Sequence, residues 1–154
     1  MTIPKLTRRL MLGGIGLLAI APSAQAASLP AIVAYRNPGC GCCESWAELL
    51  KAAGFAVSME DDPNLEARRK SAGVPADIAG CHTAFMGDYI IEGHVPVEDI
   101  KRLITEKPMA LGLAVPGMPI GSPGMETDGT VDAFEVLAFK SDGTWTVFAK
   151  HGQT

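Results

Sequence analysis

AIVAYRNPGCGCCESWAELLKAAG, residues 31–54, is the stretch on which the fold reading turns. Residues 31–35 are a short apolar run with the length of a buried strand. Arg36-Asn37-Pro38-Gly39 breaks that run, and Cys40, Cys42 and Cys43 follow at once. Trp46, Leu49, Leu50 and Ala53 then recur at helical spacing until Gly54 ends the pattern as a C-cap residue. The segment thus predicts a strand, a tight turn and a helix, with three cysteines at the junction. A helix N-terminus presents unpaired amide groups and the positive end of the helix dipole, and both favour thiolates.

Working outward, residues 55–59 read as a second strand. Asp62 with Pro63 behind it is a good N-cap and first-turn pair for a second helix through Arg69, ended near Gly73 and Pro75. Residues 83–91 read as a hairpin turning at Gly87-Asp88. A helix starting at Pro96 places Val97, Ile100, Leu103 and Ile104 on one face and halts at Pro108. Residues 112–130, GLAVPGMPIGSPGMETDGT, are rich in Gly and Pro and are expected to be irregular throughout. Strands over 134–140 and 145–150 flank Asp142-Gly143, a strong hairpin signal. The expected fold is therefore α/β: a thioredoxin-like sandwich with an added C-terminal β-hairpin and a long Gly/Pro/Met loop.

The N-terminus reads as an export signal. Lys5, Arg8 and Arg9 precede an apolar run of about a dozen residues, shorter than the roughly 20 that cross a bilayer, and Ala24-Gln25-Ala26 offers a cleavage site. We read residues 1–26 as a cleaved signal peptide and residues 27–154 as one thioredoxin-like domain. The Arg8-Arg9 pair resembles a twin-arginine signal and fits an ordinary secretory signal as well. No lipobox cysteine follows, so no stable membrane anchor is expected, and the periplasm is the expected location. Cleavage leaves 10 of 13 basic residues against all 17 acidic ones, a formal charge near −7. That balance argues against nucleic acid as a partner, which needs a basic face.

A domain of this size buries a core without disulfide staples, so its four cysteines point to chemistry. Cys40 and Cys43 have the C-x-x-C spacing of a redox dithiol, and Cys42 is an extra sulfur. Cys81 lies in GCHTA, just ahead of the expected third strand, where a thioredoxin-like fold turns a loop toward the dithiol. Soft thiolates select Cu(I), Zn(II) or iron–sulfur clusters over hard cations. Structural zinc sites usually draw on two knuckles, which this chain lacks. Adjacent Cys42 and Cys43 suit bridging between several Cu(I) ions better than one tetrahedral ion. His82, Met118 and Met125 are further candidate ligands, the methionines reading equally as core fillers. His94 reads as structural and His151 as solvated.

Four segments carry a resemblance: YRNPGCGCCESW (35–46), GCHTA (80–84), GHVP (93–96) and MPIGSPGME (118–126). Together they resemble domain-of-unknown-function family 411, which includes CopG-like periplasmic copper proteins. The resemblance implies a thioredoxin-like fold, copper bound through Cys40, Cys42, Cys43 and Cys81, and a part in copper resistance. A catalysed reaction does not follow from it; turnover as a copper-dependent oxidoreductase stays open. So do a carrier that passes copper to another exported copper-handling protein and a thiol–disulfide oxidoreductase using Cys40 and Cys43 without metal.

Overall fold

The computed structural model describes residues 28–152. The expected export signal lies outside them, and among the described residues no helix is long and apolar enough to cross a membrane. The chain runs β1 (Ile32–Arg36), α1 (Gly41–Ala52), β2 (Val57–Asp61), α2 (Leu65–Ala72), β3 (His82–Met86), β4 (Tyr89–Glu92), α3 (Val97–Glu106), β5 (Gly112–Ala114), β6 (Phe134–Phe139) and β7 (Trp145–His151), with a 3-10 turn at Ala76–Ile78. The strands form one sheet in the order β2-β1-β3-β4-β5-β6-β7. β1 pairs parallel with β2 and antiparallel with β3, β3 antiparallel with β4, and β4 parallel with β5.

Both faces of this sheet are covered, which is why its central strands read as continuous apolar runs. Trp46, Ala47 and Leu50 of α1 and Ile100 and Leu103 of α3 pack on Ile32, Ala34, Ala84 and Ile91. The opposite face packs Ile90, Ala114, Leu137 and Phe139 against Val74 and Ile78, which follow α2. Trp46 is fully buried and its indole N–H donates to the Val95 carbonyl at 3.0 Å, so its large apolar area is buried at no polar cost.

The strand–turn–helix at the start forms as its sequence predicts. Gly39 takes the left-handed φ of 80° that closes the turn, and Cys40 is the residue that caps α1. Gly54 is left-handed at the other end, φ 97°, and the Phe55 amide donates back to the Leu50 carbonyl. Three expectations are corrected. The second helix opens at Leu65, because the Asp62 carboxylate accepts from the Asn64 amide and from Arg68 instead of capping. Residues 112–114 are a strand inside the sheet, not loop. Gly112 is what allows this, since a Cβ there would overlap the Ile90 carbonyl oxygen. β5 therefore joins the terminal hairpin to the main sheet. Finally, His151 is not simply solvated: its Nε2 lies 2.6 Å from the buried Asp99 carboxylate, and its ring stacks on Phe134.

Two tests follow from the packing. Gly112→Ala should cost on the order of 1–3 kcal/mol, because β4 and β5 must separate to admit a methyl group; urea denaturation reads the loss. His82 is buried against Trp46, ring centroids 4.1 Å apart, and His94 is buried nearby. Burial holds His82 well below its ordinary 6.5, with neighbouring His94 and Arg69 adding to the effect. Burial also lowers His94. Above pH 6.5 both the folded and unfolded states hold these rings neutral. Below it the unfolded chain takes up protons that the folded chain resists, so stability must fall as pH falls, by at most about 1.4 kcal/mol per unit for each ring. His82→Phe should roughly halve that slope between about pH 6 and 5; an unchanged slope would show that His82 charges while folded.

Candidate metal centre

The centre is assembled where β1 leaves the sheet and β3 enters it. Arg36 pairs with His82 across these antiparallel strands, so the residues after Arg36 and those before His82 occupy the same end. Arg36 then fixes the turn. Its side chain donates to the Cys40 carbonyl at 2.8 Å, to Glu44 at 2.7 Å and to Asp61 at 2.8 Å, tying α1 to the ends of β1 and β2.

All four cysteine sulfurs lie within 4.8 Å of one another. Cys81 Sγ is 3.1 Å from Cys40 Sγ, 3.4 Å from Cys42 Sγ and 3.5 Å from Cys43 Sγ, and Cys40 and Cys42 are 3.4 Å apart. Cys40 and Cys43 are joined as a disulfide, with Cα atoms 5.5 Å apart, while Cys42 and Cys81 are free thiols. Cys43 is buried; the other three are partly open to solvent. Burial, with neighbouring Cys42, pushes the Cys81 thiol up to about 12, while Arg69 pulls the other way. Cys81 is therefore a neutral thiol at pH 7, and any metal it takes must displace its proton. A helix terminus activates sulfurs on the helix, but Cys81 arrives from a loop.

The Gly/Pro-rich loop folds against this cluster. At one end the Gly117 amide donates to the Ala79 carbonyl at 3.1 Å, and Gly117 forms a bridge with Gly80. At the other, Gly124 lies directly on α1's first turn; a Cβ there would come within 2.7 Å of the Cys42 carbonyl and 2.8 Å of the Trp46 amide. His94 Nδ1 donates to the Pro123 carbonyl at 2.7 Å and pins that end. Met118 is 55% exposed, and its thioether lies 3.5 Å from Cys81 Sγ.

Of the candidate residues, then, the four cysteines and Met118 converge. Met125 acts through its backbone: its amide donates to the Ser122 carbonyl at 2.8 Å and its carbonyl accepts from Gly121 at 2.9 Å. No hydrogen bond of its thioether to a cysteine is present among the described residues. His82 follows Cys81 in sequence, yet its ring turns into the core beside Trp46, with neither nitrogen partnered by the protein. The alternation of β3 explains this, since consecutive residues point to opposite sides of a strand.

Sequence reasoning missed a polar group behind Cys81. Glu92, fully buried on β4, accepts from Arg69 Nε at 2.8 Å, from Thr83 Oγ1 at 2.6 Å and from the Gly80 amide at 2.8 Å. A single charge closing the apolar strand YIIE was its signal. A groove of about 1070 Å³ lies elsewhere, between α2 and the β6–β7 turn, and no cysteine lines it. The sulfur cluster is an open surface site, suited to an ion or a partner's side chain and not to an enclosed organic ligand.

Comparison with known proteins agrees with this arrangement. The family model described as a protein of unknown function, DUF411, matches residues 78–125. Two solved structures of the copper resistance protein CopG are similar. Form 2 is 39% identical with a TM-score of 0.76, covering 80% of this chain and 98% of that one. Form 1 is 38% identical with a TM-score of 0.77, covering 81% and 99%. Among curated proteins none matches the chain. Sharing its sequence and fold with CopG over nearly the whole of that protein, the chain belongs to the DUF411 family of CopG-like proteins.

Proposed function

We propose that this chain is an exported, periplasmic copper-handling protein that holds Cu(I) on the thiolates of Cys40, Cys42, Cys43 and Cys81 and acts in copper resistance. One observation carries the reading: four soft sulfurs from two distant segments lie within 4.8 Å of one another. Likeness to a copper resistance protein supports it. Cys42 and Cys43 are adjacent, so each thiolate is placed to bridge neighbouring ions, and more than one Cu(I) is expected. Met118 supplies a thioether at the exposed side of the cluster, where copper arrives and leaves. The export signal read at residues 1–26 and the acidic surface suit delivery by, or to, another exported copper protein. The order β2-β1-β3-β4 with β3 antiparallel supports a thioredoxin-like core for this domain.

The Cys40–Cys43 disulfide favours a second reading, thiol–disulfide exchange without metal. The reduced dithiol would hand two electrons and two protons to a substrate disulfide and close into its own. The same pair links the readings, because closing the disulfide removes two of the four copper ligands. Copper cycling between oxidation states at this site is the catalytic version of the first reading.

Anaerobic titration of the fully reduced protein separates them. Copper holding predicts tight, stoichiometric Cu(I) uptake that Cys42→Ser weakens at least tenfold with the fold intact, since Cys42 has no part in a Cys40–Cys43 dithiol. Insulin reduction without metal, undiminished in Cys42→Ser, with unchanged Cu(I) binding, would favour the oxidoreductase.

Met118→Ala distinguishes a ligand from a cover. Loss of a thioether ligand should make the bound copper easier to oxidise, by about 60 mV for each tenfold loss of preference for Cu(I), and the exposed position predicts a stability change within about 0.5 kcal/mol. Met125→Ala keeps the backbone bonds that hold residue 125, so it should leave both the copper potential and the melting temperature close to the parent's.

A further inference from the structure

We propose that Arg69 and Glu92 are positioning residues for the fourth sulfur, holding the Gly80–Cys81 peptide so that Cys81 meets the three sulfurs of α1. The inference rests on reading the four cysteines as one site. Cys81 belongs to no helix and precedes β3, so the sheet alone does not fix it. Two constraints do. The first is steric. Gly80 lies against Gly93 and the Val115 carbonyl so closely that a Cβ would come within 2.5 Å of the Gly93 Cα. This contact stops the loop from moving inward. The second is polar, and it grips both sides of Gly80. Its amide donates to Glu92 Oε1 at 2.8 Å, and its carbonyl accepts from Arg69 Nη2 at 2.6 Å. Arg69 Nε simultaneously donates to Glu92 Oε1 at 2.8 Å and lies 3.2 Å from Thr83 Oγ1. One guanidinium and one carboxylate thus join α2, β3, β4 and the peptide that carries Cys81.

Ordinary stability does not require such an arrangement. A buried ion pair contributes little net stability, because desolvation offsets its attraction, and apolar replacements often serve as well. What it supplies is a unique geometry. The planar guanidinium fork cannot donate to Glu92 and to the Gly80 carbonyl unless the loop is in one place. Metal–thiolate sites tolerate only a few tenths of an ångström in ligand distance, and Gly80 by itself leaves the loop free to rotate. The brace corrects that freedom.

The test reads sulfur placement without copper. In a Cys42→Ser, Cys43→Ser chain the remaining Cys40 and Cys81 equilibrate with glutathione: their thiols lose two protons and two electrons, and glutathione disulfide is reduced to two thiols. The resulting equilibrium constant measures how closely the two sulfurs are held. Arg69→Met and Glu92→Gln should each lower it at least tenfold. In a Cys42→Ser, Cys81→Ser chain, where Cys40 and Cys43 lie in one segment, the same changes should alter it less than twofold. An unaltered Cys40–Cys81 equilibrium, or an equal fall for both pairs, overturns the proposal. Should the Arg69→Met chain fail to fold, Arg69→Lys keeps the charge but not the fork and should still lower the Cys40–Cys81 constant at least threefold; no change overturns the idea equally. With all four cysteines present, the brace variants should also lose Cu(I) affinity. If the parent chain takes up no Cu(I), the copper reading fails while the glutathione result still decides the positioning role.

Discussion

The register of β1 on β3 is the constraint on which the rest of the structure depends. Because Arg36 lies opposite His82, a turn leaving one strand and a loop entering the other come out at the same end of the sheet. Cysteines 38 to 41 residues apart in sequence thereby become neighbours at 3.1–3.5 Å. A slip of one residue would turn the core faces of both strands to the wrong side of the sheet, so burial of Ala34 and Ala84 beneath α1 enforces the alignment. Everything local to the site then refines a placement the sheet has already made. Arg36 ties down the turn, Gly124 and His94 bring the loop onto α1, and the Glu92 network secures the approach of Cys81.

Four sulfurs this close cannot serve all their chemistries at once. A disulfide between Cys40 and Cys43 occupies two of them, leaving Cys42 and Cys81 as thiols. Metal binding needs thiolates, and burial holds a proton on Cys81 up to about pH 12, so uptake of a soft ion must displace that proton. Oxidation and metal binding therefore compete for the same atoms. On the proposed copper reading, that competition gives the site a physical route to release its cargo.

Much of this was legible beforehand. The strand, turn and helix around the three cysteines read directly from apolar spacing, Pro38-Gly39 and the terminating Gly54. The hairpin at Gly87-Asp88 and the helix after Pro96 read equally well. Three features did not. β5 is only three residues long and contains glycine, so it has no periodicity to detect; its pairing exists because the missing side chain of Gly112 lets β4 come close. Asp62 has the composition of a helix cap, but Arg68 and the Asn64 amide compete for its carboxylate. His151 looked solvated because Asp99, its partner, lies 52 residues away.

The sequence by itself determined which atoms are available and where local structure begins: soft sulfurs at a helix start, a fourth one before a strand, a glycine- and methionine-rich loop, an acidic surface. Those properties depend on residue type and on neighbours a few positions away. Tertiary structure alone decided which of the available atoms meet. It drew Met118 to Cys81 and anchored Met125 by its backbone, turned His82 away from the sulfur it follows, and put a buried carboxylate behind the cysteine loop. Each of those outcomes depends on strand register and on the side to which a strand points its residues, and both are fixed by the burial of distant parts of the chain against each other.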